Sequence, residues 1–167
     1  MRLSTRGQYG VKAMFQLAKN YGQGTLPLKE VAARGNISEG YLEQLFSDLR
    51  KNKLIKSIRG AQGGYSLAKP PKEINLGMIL DAVEGPLSFS DCSDEGEYQG
   101  CEGSDFCPTR STWFKIRESL NEILAAYTLA DILAEEEELL EKKKQGLPGV
   151  SGLMKCRGGK DDEQNLS

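Results

Sequence analysis

The thirty residues from Ser38 to Leu67, SEGYLEQLFSDLRKNKLIKSIRGAQGGYSL, narrow the fold more than any other part of the chain. Tyr41, Leu42, Leu45, Phe46 and Leu49 recur at helical spacing. They predict a helix from Ser38 to about Lys51 with one apolar face. Its other face carries Glu39, Gly40, Glu43, Gln44 and Ser47, with Arg50, Lys51 and Lys53 at its end. Ser38 suits the N-cap, because its short side chain can accept from a first-turn amide. Residues 54–58 and 65–67 read as short strands, joined by a loop that Gly60, Gly63 and Gly64 make compliant. Just upstream, Leu28, Val31 and Ala32 mark a short helix, with Gly35 as its expected stop. Two helices joined by a tight turn form a helix-turn-helix, and a hairpin directly after the second one is a wing. RGAQGGY is no phosphate-cradling P-loop, since it lacks the Lys-Ser/Thr ending and no long helix follows it.

The remaining segments are mostly helical. Residues 4–21 place Val11, Met14, Phe15, Ala18 and Tyr21 on one stripe, and residues 76–84, LGMILDAVE, form another short helix. From Ser111 onward Trp113, Ile116, Leu120, Ile123, Leu124 and Tyr127 form an apolar seam, which AEEEELLEKKK extends as a charged helical stretch. After Gly146 the chain turns glycine-rich and polar and is expected to be mobile. The expected class is mainly α: a winged helix-turn-helix in 1–75, a short helix and cysteine-bearing loop in 76–110, a long helix with its charged extension in 111–144, and a flexible tail in 145–167.

Charge is segregated. The whole chain holds 22 basic and 24 acidic residues, yet residues 1–75 hold 13 basic and 5 acidic, and residues 76–110 hold 1 and 8. The basic part can meet phosphates. There is no histidine, which removes Ser-His-Asp and Cys-His catalysis and the commonest metal ligand. No enzyme is expected. No apolar run is long enough for a bilayer and MRLSTRGQYG lacks a signal-peptide core, so the expectation is a cytoplasmic protein without membrane association.

Each candidate DNA-binding residue has a physical role. Glu43 can accept from a cytosine amino group, and Gln44 can pair bidentately with adenine. Ser38 and the helix-start amides can hold a phosphate. Arg59, at the wing, can reach a phosphate or a minor groove. Arg50 and Lys51, with Lys53 and Lys56, sit where salt-sensitive attraction to the backbone would arise. An acid such as Glu43 on a reading face acts chiefly as a discriminator against sites that offer it no donor.

The segment CSDEGEYQGCEGSDFC, residues 92–107, holds Cys92, Cys101 and Cys107 among five acids, without one Lys or Arg. Asp94, Glu95, Glu97, Glu102 and Asp105 oppose a reactive thiolate. A metal centre escapes that objection, because the cation deprotonates its own thiols. The gaps of eight and five residues are not a zinc signature, and an iron–sulfur cluster accommodates such spacing better. Zinc and three free thiols remain the other readings.

MRLSTRGQYGVKAM, ISEGYLEQLFSDLRKNKLIKSIRGAQGGYSLAKP and the three-cysteine loop leading into CPTRSTW resemble the IscR family of winged-helix transcription regulators, over Met1 to about Leu133. The resemblance implies a homodimer whose C-terminal helices pack together, placing two reading helices on a pseudo-palindromic double-stranded DNA operator. It implies that Cys92, Cys101 and Cys107 hold an iron–sulfur cluster, 2Fe–2S rather than 4Fe–4S. It also implies that Ser38, Glu43, Gln44 and Arg59 match DNA-contacting positions, with Gly40 where the family has a serine. The family's histidine ligand is replaced by Arg110, which leaves Glu102, Asp105, a partner residue, a small molecule or Cys156 as the fourth ligand. Gln8 stands where a nitric oxide sensor of the family carries an acid ligand. The expected function is a repressor or other regulator controlled by its cluster, acting on cluster-biogenesis genes. The alternatives are a nitric oxide or redox sensor of the same family, or a cluster-free or zinc-containing DNA-binding regulator.

Overall fold

A computed structural model describes residues 3–60, 63–88 and 107–146. The chain divides into two compact units, Met1–Leu133 and Ala134–Ser167. The first contains α1 (Thr5–Lys19), α2 (Leu28–Gly35), α3 (Glu39–Lys51), β1 (Ile55–Ile58), β2 (Gly64–Leu67), α4 (Leu76–Glu84) and α5 (Pro108–Ala126). It also contains the first turn of α6 (Leu129–Lys144), whose later turns belong to the second unit.

The predicted amphipathic face of α3 is buried as its spacing requires. Leu42, Leu45, Phe46 and Leu49 are at most 1 % exposed, packed in one core with Met14 and Leu17 of α1, Val31 of α2, and Ile79 of α4. Each such burial stabilises the unit by about 1.5–3 kcal/mol before chain entropy is counted. The Phe46 ring meets the Tyr65 ring of β2 edge-on, with centroids 4.6 Å apart, so the wing is seated on the reading helix.

The wing is an antiparallel pair in which Ile55 faces Leu67 and Ile58 faces Gly64. A third stretch joins its edge, since Leu26 and Tyr65 exchange backbone hydrogen bonds of 2.9 Å in both directions. Gly64 is needed at this crossing. A Cβ there would lie 2.6 Å from the Leu26 carbonyl oxygen, too near for any side chain.

Four local features depart from the sequence expectation. The first helix ends at Lys19, and Tyr21, expected on its apolar stripe, is 48 % exposed beyond the Asn20 cap. The left-handed residue that stops α2 is Asn36, at φ 51° and ψ 52°, while Gly35 is still helical; asparagine is one of the few side chains that tolerate this conformation. Helix α5 starts at Pro108 rather than near Ser111, with the proline where its missing N–H costs nothing. Finally, the predicted continuous C-terminal helix is broken at Tyr127–Thr128. There Thr128 and Asp131 form a reciprocal cap: the Thr128 amide donates to Asp131 Oδ2 at 2.8 Å, and the Asp131 amide donates to Thr128 Oγ1 at 3.3 Å.

The break is held against the start of α4. The Leu76 amide donates to the Tyr127 carbonyl and the Leu129 amide to the Ile74 carbonyl, each at 2.9 Å, and Leu129 is fully buried. In the second unit, Lys142 and Glu138 form an exposed i,i+4 ion pair at 3.7 Å, a pairing worth a few tenths of a kcal/mol. No helix among the described residues is long and apolar enough to cross a membrane.

Candidate nucleic-acid interface and cysteine site

Helix α3 presents Glu43 and Gln44 to solvent, side by side, opposite the buried leucines. At its start Ser38 is exposed and extended, at φ −67° and ψ 142°, and its hydroxyl caps no amide of its own helix. The expected N-cap position is therefore correct, but the capping bond is not made. The hydroxyl stays available to an outside acceptor, next to first-turn amides that also lack intrahelical partners. A shallow cleft of about 440 Å³ opens beside it, lined by Lys29, Asn36, Ser38 and Glu39 among others. Lys29, a cation facing this helix start, was not among the residues selected from sequence; it lies outside the reading-helix block.

The basic residues at the far end of α3 divide in two groups. Arg50 Nη1 donates to the Ser57 hydroxyl of β1 at 3.5 Å, a long bond between helix and wing. Lys51 Nζ lies 3.1 Å from Asp48 Oδ1 while remaining 71 % exposed. Both are thus engaged within the chain, Lys51 loosely. Lys53 and Lys56 are exposed. So is Arg59, at the end of β1 beside Gly60, whose φ of 119° turns the chain into the wing tip. Residues 61–62 lie outside the described residues.

Of the three predicted cluster cysteines, Cys92 and Cys101 lie outside the described residues, as do Glu102, Asp105 and Cys156. Cys107 is described. It is the N-cap residue of α5, with its thiol half exposed and 3.0 Å from the Thr109 hydroxyl. The Thr109 bond and the amides of the helix start hold this thiol below its ordinary range. The acids expected to oppose a thiolate, Asp94, Glu95, Glu97, Glu102 and Asp105, lie outside the described residues. A thiol poised toward thiolate at a helix N-terminus fits a metal or cluster ligand. Among the described residues no three His, Cys, Asp or Glu side chains are gathered for a metal ion.

The fold and these residues have counterparts. A sequence profile of the Rrf2 family, described as iron-dependent transcriptional regulator, matches residues 3–135. The HTH-type transcriptional regulator IscR of Sodalis glossinidius is 40 % identical over 139 residues, covering 83 % of this chain and 82 % of that protein. Among solved structures, T. potens IscR superposes with a TM-score of 0.68 at 42 % identity, over 91 % of this chain and 96 % of that one. CymR, the global cysteine regulator of B. subtilis, superposes with a TM-score of 0.64 at 40 % identity, over 81 % of this chain and 98 % of that one. With a winged helix-turn-helix whose reading face is exposed and relatives that span nearly the whole fold, the chain belongs to the Rrf2 family and is a transcriptional regulator, not an enzyme.

Proposed function

We propose that the chain is a cytoplasmic homodimer that binds a pseudo-palindromic DNA operator, with its affinity or site choice set by an iron–sulfur cluster on Cys92, Cys101 and Cys107. The observation that carries the DNA reading is the outward face of α3: Glu43 and Gln44 exposed on a helix whose opposite face is locked in the core. Gln44 would read adenine and Glu43 would accept from cytosine, with Ser38 and the α3 amides on a phosphate and Arg59 reaching from the wing. Lys51, Lys53 and Lys56 would add attraction that weakens with salt. Arg50, bonded to Ser57, would serve mainly to set the wing against the helix.

The exposed apolar side chains of α5 support the dimer. Trp113, Phe114, Ile116, Ile123 and Tyr127 are 36–56 % exposed, and no residue of the helix is buried. An exposed row of large apolar side chains is the usual mark of an interface. A second copy would cover it and set two reading helices about one helical turn of DNA apart.

Cys107 fits the cluster role through its thiol poised at the start of α5. When bound, the cluster would supply sensitivity to iron and oxidants, and the resemblance of the three cysteine positions to those of the IscR family supports a 2Fe–2S form. The chain's own part is mechanical. The cysteine segment lies between α4 and α5, so cluster binding there would shift the population of positions that the winged helix takes on the dimer helix. The regulated genes would be those of cluster assembly. The second reading is a cluster-free DNA-binding regulator, against which the three cysteines between α4 and α5 count.

Air-free purification followed by a visible spectrum with iron and sulfide counts separates the two readings. Stoichiometric iron and sulfide, lost in Cys92→Ala, Cys101→Ala and Cys107→Ala variants that change operator selectivity, is the expected result. A colourless protein after reconstitution, binding DNA equally well, establishes the cluster-free reading instead.

A further inference from the structure

The cysteine segment leaves the core at the end of α4, where Gly85 closes the helix at φ 88°. The last carbonyls of a helix have no partner within it. Here two of them are taken by side chains from elsewhere. Arg6 Nε donates to the Val83 carbonyl, and Asn52 Nδ2 reaches the Ala82 carbonyl at 3.5 Å. Ser4 donates to Glu84 Oε1 at 2.6 Å.

The same Arg6 guanidinium also holds the reading helix. Its Nη2 donates to Asp48 Oδ2, and Asp48 lies one turn beyond Gln44 on α3. Asn52, at the end of that helix, bonds the Asp48 carbonyl at 3.0 Å as well as reaching toward Ala82. One planar fork thus spans α4 and α3. Helix α1, which carries Arg6, lies hard against α4. A Cβ on Gly7 would sit 2.1 Å from Glu84 Oε1 and 3.0 Å from Leu80 Cδ2, and one on Gly10 would sit 3.3 Å from both Val83 methyls. Such close packing leaves α1 and the end of α4 little freedom to slide past each other.

We propose that Arg6 is the positioning residue that carries a change in the cysteine segment to the DNA-reading helix. This rests on the reading above, that cluster and operator binding are linked. Re-aiming the last turn of α4 turns the Val83 carbonyl, and Arg6 follows it or releases Asp48. In either case Asp48, and with it the face bearing Glu43 and Gln44, changes its tilt. The ion pair is partly exposed, with side chains 34 % and 26 % accessible, so its contribution to stability is small and its directional role dominates. A lysine would keep the charge but not the two-way fork.

The test compares full-length wild type with Arg6→Lys, Arg6→Gln and Asp48→Asn. Iron and sulfide content, dimer mass and operator affinity are measured for each, loaded and cluster-free. In the wild type the two states should differ in affinity by about 5- to 150-fold, the usual span of coupling between sites. Both Arg6 variants and Asp48→Asn should keep wild-type cluster content and dimer mass while that ratio falls to within about twofold. A wild-type ratio in Arg6→Lys and Arg6→Gln overturns the proposal and leaves the linked function standing. A wild-type protein whose two states bind alike overturns both. A ratio lost only together with cluster or dimer assigns Arg6 a merely structural role and also overturns it.

Discussion

Helices α3 and α5 are both amphipathic, yet they stand in opposite conditions. Four residues of α3 are buried in the core of their own chain, while α5, at nineteen residues the longest helix described, buries none. The difference shows where folding ends and assembly begins. The reading helix is finished within one chain, and only its polar side is left for a ligand. The apolar side of α5 is left for another surface.

The largest expected effect falls on α3. Phe46→Ala removes a ring that is 1 % exposed and set edge-on against Tyr65, and should cost about 3–5 kcal/mol, a large part of the stability of a small domain. Chemical denaturation should show a lower midpoint with an unchanged slope. The corresponding cut in α5, Ile116→Glu with Ile123→Glu, should leave that midpoint almost unmoved and instead dissociate the proposed dimer. Interface anchors of this kind cost about 2 kcal/mol or more each, so sedimentation should show monomer at concentrations where wild type is dimeric. Equal destabilisation of the isolated chain by both changes would erase the contrast.

Smaller effects sharpen it. Glu43→Ala should leave folding intact and relax discrimination at one base pair by about 1–3 kcal/mol, read as a broadened preference in binding to a randomised operator. Thr128→Ala should cost about 1 kcal/mol, confined to the start of α6, and show as faster amide exchange there. Acid should act on the same cap. The Asp131 carboxyl is held below its ordinary range chiefly by the Thr128 hydroxyl and also by the Thr128 amide. A lowered folded value means the cap is complete above the ordinary carboxylate range and is lost as pH falls through the lower one. Fraying of α6 should therefore increase as pH falls through and below the ordinary carboxylate range, and not on the alkaline side.

Much of this was legible in the sequence. The spacing of Leu42, Leu45, Phe46 and Leu49 was enough to orient α3, and hence to expose Glu43 and Gln44, because a 3.6-residue period leaves one solution. The hairpin followed from its glycines. What escaped has physical causes. Thr128 and Asp131 spell a capping box, but apolar positions continue at helical spacing on both sides of it and hid the break. Asn36 takes the left-handed cap one position after the more permissive Gly35, with Ile37 directly beyond it buried in the core. Arg6 meets partners 42 and 77 positions away, and no local pattern announces such a contact. The lowered thiol at Cys107 depends chiefly on a hydroxyl two residues on, a contact that residue counts do not reveal. Spacing and acidic surroundings favoured an iron–sulfur cluster over zinc for the three cysteines, while the cluster type came from family likeness alone.

The hydrogen bonds that tie Tyr127 and Leu129 to Ile74 and Leu76 have a consequence for how such regulators can vary. They bring the start of α4 and the start of α6 together, so the chain between them is an excursion that leaves and returns at one place. Closing a longer excursion between fixed ends is cheap, about 0.6 kcal/mol for each doubling of length. Length can therefore change between these anchors while the anchorage itself stays as it is, which leaves the winged helix indifferent to how long that path is.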